Sequence, residues 1–235
     1  MLSRKILTFL LVSALMAVSV GGYAVTVEET ANLTVFYPDY TSVDLVCEQM
    51  PKAAQKNVEF CCEAAFTGEL LNDFRHSNIA DNHICSGVMK KGYRCRANTG
   101  GFVWGEGKWA FMQKANYPSA AGNWNMGFCQ ILIIKDGTIM PISAKINKSR
   151  SIYRALCEKD GKLCIIQAKK VMTCEYFVKC LKNFGVRHAL YLDMGKGWNY
   201  AWYRDSEGKV KELFPESKSA SDYKFRTNWI TFYKE

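Results

Sequence analysis

From Asn32 onward the apolar residues fall mostly in short runs broken by Gly and Asp, with few helical stretches. Short apolar runs bounded by turn residues predict strands. The qualifying segments are Leu33–Tyr37, Val43–Cys47, Val58–Cys62, Phe102–Trp104, Trp109–Met112, Phe128–Lys135, Thr138–Ile142, Ile152–Glu158, Lys162–Gln167, His188–Asp193, Asn199–Arg204, Lys209–Phe214 and Asn228–Tyr233. Asp136-Gly137, Asp160-Gly161 and Gly105-Glu106-Gly107 read as hairpin turns between neighbours. A helical period follows Thr173, an N-cap type, with Cys174, Phe177, Val178, Leu181 and Phe184 on one face and Gly185 as the stop. A second, weaker helix is expected at Glu69–Arg75. The class these elements predict is α+β: a single domain with a mixed, largely antiparallel sheet core and a few packed helices.

The first 24 residues follow another pattern. Arg4 and Lys5 precede an apolar run from Ile6 to Val20, then small residues up to Ala24. That is the anatomy of a signal peptide, and the run is too short to span a membrane. The chain is therefore expected to be exported, secreted or periplasmic, without stable membrane insertion. Residues 25–57 read as an N-terminal extension with the first strands, and 58–235 as the main domain. The leader carries two basic and no acidic groups, so its removal from a chain of 235 residues and net charge +9 leaves 211 residues and +7. That charge favours anionic partners.

Export changes the meaning of the ten cysteines, all of which follow the leader: an even number in an oxidising compartment favours disulfides. A two-residue turn at Asp160-Gly161 would set Cys157 opposite Cys164, within bridging distance, whereas Cys174 and Cys180 point to different helix faces. Free, buried thiols acting as small apolar residues are the alternative. The cysteine spacings lack a zinc pattern, and no metal is expected. No phosphate-cradling loop, nucleophile elbow or nucleic-acid motif occurs, so neither a cofactor nor a nucleic-acid partner is expected.

The richest segment runs from Asn183 to Trp198, where a buried strand ends in Asp193 and the chain turns through Gly195 and Gly197. A carboxylate on a rigid base beside glycines suits a ligand that approaches the backbone closely. Helix followed by Leu-Asp-x-Gly-x-Gly resembles the signature of the phosphodiester glycosidases related to the uncovering enzyme. Ile152-Tyr153-Arg154-Ala155-Leu156 is similar to that family's arginine segment, and Phe60-Cys61-Cys62-Glu63-Ala64-Ala65-Phe66-Thr67 is placed like its asparagine-glycine segment. The three occur in the family's order, from about Val58 to Phe214. Met194, Trp198 and Glu63 depart from the family's residues at their positions.

The resemblance implies hydrolysis of a sugar-1-phosphodiester, N-acetylglucosamine-like, in a glycan or phosphopolymer. Such a reaction breaks an anomeric bond through an oxocarbenium-like state that a carboxylate stabilises, and Asp193 is the candidate. The departing phosphate needs a fork of positive charge, and Arg154 is the candidate, pointing into a cleft from the strand face opposite Cys157. Glu63 is either a second, desolvated acid or a strand-edge residue in solvent. His83 is a further candidate because imidazole exchanges protons near neutral pH. Gly195, Gly197 and Trp198 are expected to bind substrate, with Asn123 and Asn125 hydrogen-bonding hydroxyls. The departures at Met194 and Trp198 keep a non-catalytic glycan-binding protein as the alternative, and an exported interaction protein as a third reading. Oligomeric state is not legible.

Overall fold

The computed structural model describes residues 24–47, 49–67, 79–195, 199–218 and 228–235. The first strands are β1 (Val25–Glu29), β2 (Leu33–Pro38), β3 (Ser42–Cys47) and β4 (Val58–Glu63). Two hairpins follow, β5 (His83–Cys85) with β6 (Val88–Lys90) and β7 (Gly100–Gly105) with β8 (Lys108–Gln113). Next come β9 (Met126–Gln130), β10 (Leu132–Lys135), β11 (Thr138–Ile139), helix α1 (Ala144–Lys148) and β12 (Arg150–Ser151). The hairpin β13 (Arg154–Lys159) and β14 (Lys162–Ala168) leads through β15 (Met172–Thr173) into helix α2 (Cys174–Asn183) and β16 (His188–Tyr191). The remaining strands are β17 (Ala201–Arg204), β18 (Val210–Leu213) and β19 (Asn228–Tyr233).

Four sheets result among the described residues: seven strands in the order β1-β2-β14-β13-β16-β10-β11, five in the order β18-β17-β4-β19-β3, five in the order β6-β5-β9-β7-β8, and the pair β12-β15. Every ladder among these strands is antiparallel. The architecture is thus mostly β rather than α+β with mixed sheets. Glycine-bearing two-residue turns repeatedly send the chain straight back on itself, which makes antiparallel neighbours and leaves little room for crossover helices. The helix expected at Glu69–Arg75 lies outside the described residues. No helix among those described is long and apolar enough to cross a membrane.

The turns work through left-handed backbone. Asp136-Gly137, Asp160-Gly161, Glu106-Gly107 and Ser86-Gly87 each have both φ values between 49° and 75°, the signature of type I′ hairpins. Gly105 is a strand residue paired with Lys108, and its lack of a side chain serves another purpose. A Cβ there would lie 2.3 Å from the Asn123 carbonyl oxygen.

The central strands of the seven-stranded sheet are buried on both faces, while its edge strands β1 and β11 are largely exposed. Leu156, Ile165, Leu190 and Leu192 pack with Phe36, Phe60, Phe102 and Phe128 in a core shared with the five-stranded sheets. Ala155, Cys157, Ile166 and Ala189 pack on the other face with Phe177, Val178 and Leu181 of α2. The helix forms where its periodicity predicts: Thr173 Oγ1 accepts the Tyr176 amide at 3.2 Å, and Gly185 takes φ +87° just beyond the last turn.

One disulfide, Cys47–Cys85, ties β3 to β5, and the other eight cysteines are free thiols. Cys157 and Cys164 do face each other in register, as counted from the turn, yet do not bridge. Pairs two steps back from the closing pair of a two-residue hairpin are again hydrogen-bonded pairs, whose Cβ atoms stand further apart than a disulfide prefers. Both thiols serve as small apolar core residues, and burial pushes the Cys164 thiol up to about 12.

Candidate functional site

Three chain segments meet where the seven-stranded sheet adjoins the sheet containing β4. The Leu192 amide donates to the Arg154 carbonyl at 3.0 Å, and the Asp193 amide donates to the Ala64 carbonyl at 3.0 Å. The start of β13, the extension of β16 and the extension of β4 are thereby stitched together. Asn228, fully buried in β19, holds the β4 side: its carbonyl accepts the Ala64 amide at 3.2 Å, its Oδ1 accepts the Ala65 amide at 2.7 Å, and its Nδ2 donates to the Ala65 carbonyl at 2.9 Å. One side chain thus supplies Ala65 with the bonds a strand partner would supply.

Asp193 is 6% exposed, and its Oδ1 accepts the Gly195 amide at 3.0 Å. That is the local bond by which an aspartate fixes the turn after it, and here it also fixes the carboxylate. Gly195 therefore contributes an amide that orients Asp193. Gly197 and Trp198 lie outside the described residues.

Arg154 is fully buried rather than pointing into an open cleft as the sequence reading expected. Its strand face looks between the sheets, and two of its nitrogens, Nε and Nη2, donate to Gln167 Oε1 at 3.0 and 2.7 Å. Gln167 sits directly across the β13–β14 ladder. Nη2 also reaches the Asn199 carbonyl at 3.0 Å. Nη1, by contrast, has no well-aligned hydrogen-bond partner among the described residues, and the neutral Cys62 thiol interacts with the guanidinium. Burial pulls the guanidinium pKa down, while Cys62 and Glu63 beside it hold the charge in place. A buried guanidinium keeps its proton under any ordinary condition, so this charge is permanent.

Glu63, the last residue of β4, is also fully buried, which settles its environment as desolvated rather than strand-edge. Cys62 is pushed up to about 12 by burial, against the opposing pull of Arg154, and stays a neutral thiol. It is no nucleophile in this state.

The other expected site residues are anchored in other strands and loops. His83 lies in β5 with Nδ1 3.1 Å from the Asp81 carbonyl oxygen, and Cys47, His83 and Cys85 bring their ligand-type atoms within 4.8 Å of one another. Its seat is against the disulfide, and burial lowers its pKa. Asn123 and Asn125 lie beyond the start of β9: the Asn125 amide donates to the Trp104 carbonyl at 2.9 Å, and its carbonyl accepts the Gly87 amide at 2.7 Å. The end of β9 that adjoins the site is the opposite one, where the Tyr191 amide donates to the Ile131 carbonyl at 2.9 Å. A five-residue strand, about 15 Å long, separates the two asparagines from Asp193.

Two tyrosines join the site unannounced by any motif. Tyr191 takes a hydrogen bond from the Met194 backbone and feels the Asp193 charge, and burial pushes its phenol well above the ordinary value. Tyr93 also lies within reach of the Asp193 charge and is held protonated, mainly by burial. Tyr191 was legible as the strand residue two before Asp193, hence on its face; Tyr93 had no such signal. Gln167 was countable too, since a turn at 160–161 pairs position 154 with 167. Beside Tyr191 opens a cavity of about 170 Å³ lined by Phe66, Ile131, Ile133, Ile146, Ser149, Tyr153, Cys174 and Tyr191.

No family model and no curated protein matches the chain. Among solved structures the chain matches the phosphodiester glycosidase fold. One matching structure is the catalytic domain of zebrafish N-acetylglucosamine-1-phosphodiester alpha-N-acetylglucosaminidase, auto-inhibited by its pro-peptide. The TM-score is 0.55 and the identity 14%, over 90% of this chain and 81% of that one. At that identity the likeness is one of fold.

Proposed function

We propose that the chain is an exported phosphodiester glycosidase that hydrolyses a sugar-1-phosphodiester bond, with an N-acetylglucosamine-like sugar, in a glycan or phosphopolymer. The observation that carries the reading is Arg154: a permanent, buried charge with one nitrogen, Nη1, lacking a well-aligned partner among the described residues, beside Glu63 and stitched by backbone to the Asp193 segment. An unsatisfied buried donor is expensive unless a ligand atom satisfies it, and a phosphate oxygen matches it in charge and geometry.

In this reading Asp193, held by the Gly195 amide, faces the anomeric carbon and takes the proton from the attacking water or stabilises the developing oxocarbenium ion. The bond from anomeric carbon to phosphate oxygen breaks, its electrons leave with the phosphate, and Arg154 neutralises that charge. Glu63 balances Arg154 when the site is empty and is the second carboxylate when it is full. His83, Asn123 and Asn125 have no part in it. Export rests on the leader at residues 1–24, and a soluble chain with a carbohydrate or sugar-phosphate substrate follows from the same proposal.

Release of free sugar from a panel of sugar-1-phosphodiesters tests it. Wild type is expected to turn over at least one member, and Asp193→Asn and Arg154→Ala, with folding checked by circular dichroism, to lose about a hundredfold or more. Folded wild type that binds the esters without turnover would leave the glycan-binding alternative, which the Met194 and Trp198 departures favour.

A further inference from the structure

The cavity beside Tyr191 is not explained by sugar-phosphate chemistry. Its floor is Ile131, Ile133, Tyr153 and Cys174, each no more than 4% exposed, and its rim is the partly or fully exposed Phe66, Ile146, Ser149 and Tyr191. The two hydroxyls nearest the rim satisfy each other, with Ser149 Oγ 2.6 Å from Tyr153 Oη, and Tyr153 also donates to the Ser149 carbonyl at 2.8 Å. What remains for a ligand is hydrocarbon and ring face. Phe66 and Tyr191 stand with ring centroids 5.8 Å apart, and Tyr153 meets Tyr191 edge to face at 6.1 Å.

The cavity adjoins the polar centre through a shared residue, Tyr191. Tyr191 forms part of its wall, while its phenol accepts the Met194 amide and feels Asp193, and it also acts on the Arg154 charge. A ligand held at Asp193 and Arg154 therefore has an apolar recess within one side chain's length. A dry recess of this kind attracts hydrocarbon, and about 150 Å³ is known to accommodate a benzene ring.

We propose that this cavity is an apolar subsite of the Asp193 centre, and that the substrate carries a hydrocarbon group of about six carbons that fills it. The proposal rests on the hydrolase reading above for its polar half. The hydrocarbon belongs either to an acyl group on the sugar or to an alkyl ester on the far side of the phosphate.

Two substrate series separate these sources: N-acyl sugars from acetyl to hexanoyl with a methyl phosphodiester, and methyl to hexyl phosphodiesters of the N-acetyl sugar. Leaving-group acidity barely changes within either series. The expected result is a KM that falls about fourfold per added methylene in one series and levels off near six carbons. Ile146→Trp, which fills the rim, is expected to flatten that dependence, with its melting curve confirming the fold. In parallel, 1-hexanol is titrated while the methyl resonances of Ile131, Ile133 and Ile146 are followed, and saturable shifts at all three are expected. Turnover with no chain-length dependence in either series overturns the subsite and spares the hydrolase reading. Saturable shifts without turnover of any ester keep the cavity as a hydrocarbon site and sink the hydrolase reading. No saturable shift with 1-hexanol overturns the subsite outright.

Discussion

Glu59 shows what a buried charge costs when its partner is engaged elsewhere. It is fully buried in β4, and neither carboxylate oxygen has a hydrogen-bond partner among the described residues. Arg204 is near enough to lower its pKa, yet Arg204 donates to the carbonyls of Val58, Ala53, Gln55 and Gly208 instead. Burial wins, and the Glu59 carboxyl is pushed up to about 7. Because the folded value lies above the unfolded one, the folded state holds more protons between about pH 4.5 and 7, and this group's contribution to stability falls as pH rises through that window. Glu59→Gln is expected to match wild type at pH 4 and to exceed it by about 3 kcal/mol at pH 8, measured by urea unfolding at both pH values. A wild type whose stability rises across the window would refute this account.

Among the elements, α2 covers one face of the seven-stranded sheet with Phe177, Val178 and Leu181. Its first turn depends on Thr173, whose hydroxyl accepts the Tyr176 amide. Thr173→Ala is expected to cost about 1 kcal/mol and lower the melting temperature by about 2–4 °C in calorimetry. Cys174, the first residue of that turn, lines the cavity, so looser packing there should be felt by any ligand in it.

At the same scale lies the boundary between what was legible and what was not. Strand existence followed from the short apolar runs, and register followed wherever an Asp-Gly turn fixed the count, which placed Cys157 against Cys164 and put Gln167 within reach of counting from Arg154. The run Phe128–Lys135 read as one strand but passes from one sheet to another at Ile131, with β9 and β10 on either side. An apolar run reads the same on both sides of such a crossing and says nothing of partners. The β5–β6 hairpin was missed because its strands are three residues each and one is mostly exposed. The proximity of Glu63 to Arg154 joins residues of different sheets, and the neighbours of His83 and Asn125 are likewise remote in sequence.

For the whole molecule, the sheets are held partly by covalent means. Cys47–Cys85 closes a separation of 38 residues between β3 and β5, which sit in different five-stranded sheets. Such a loop restrains the unfolded chain enough to contribute about 2–4 kcal/mol. Cys47→Ser/Cys85→Ser is expected to lose that amount in chemical denaturation, while wild type in reductant drops to the same level. A reductant effect larger than that of the double variant would mean that further disulfides form in solution.

The Asn228 clamp sets a timetable as well as a geometry. Glu63, Arg154 and Asp193 all precede it in the chain, yet three of the hydrogen bonds that hold Ala64 and Ala65 come from Asn228 of β19. A chain emerging from its N-terminus therefore possesses Glu63, Arg154 and Asp193 long before it possesses Asn228. The candidate site is completed late, once β19 is in place.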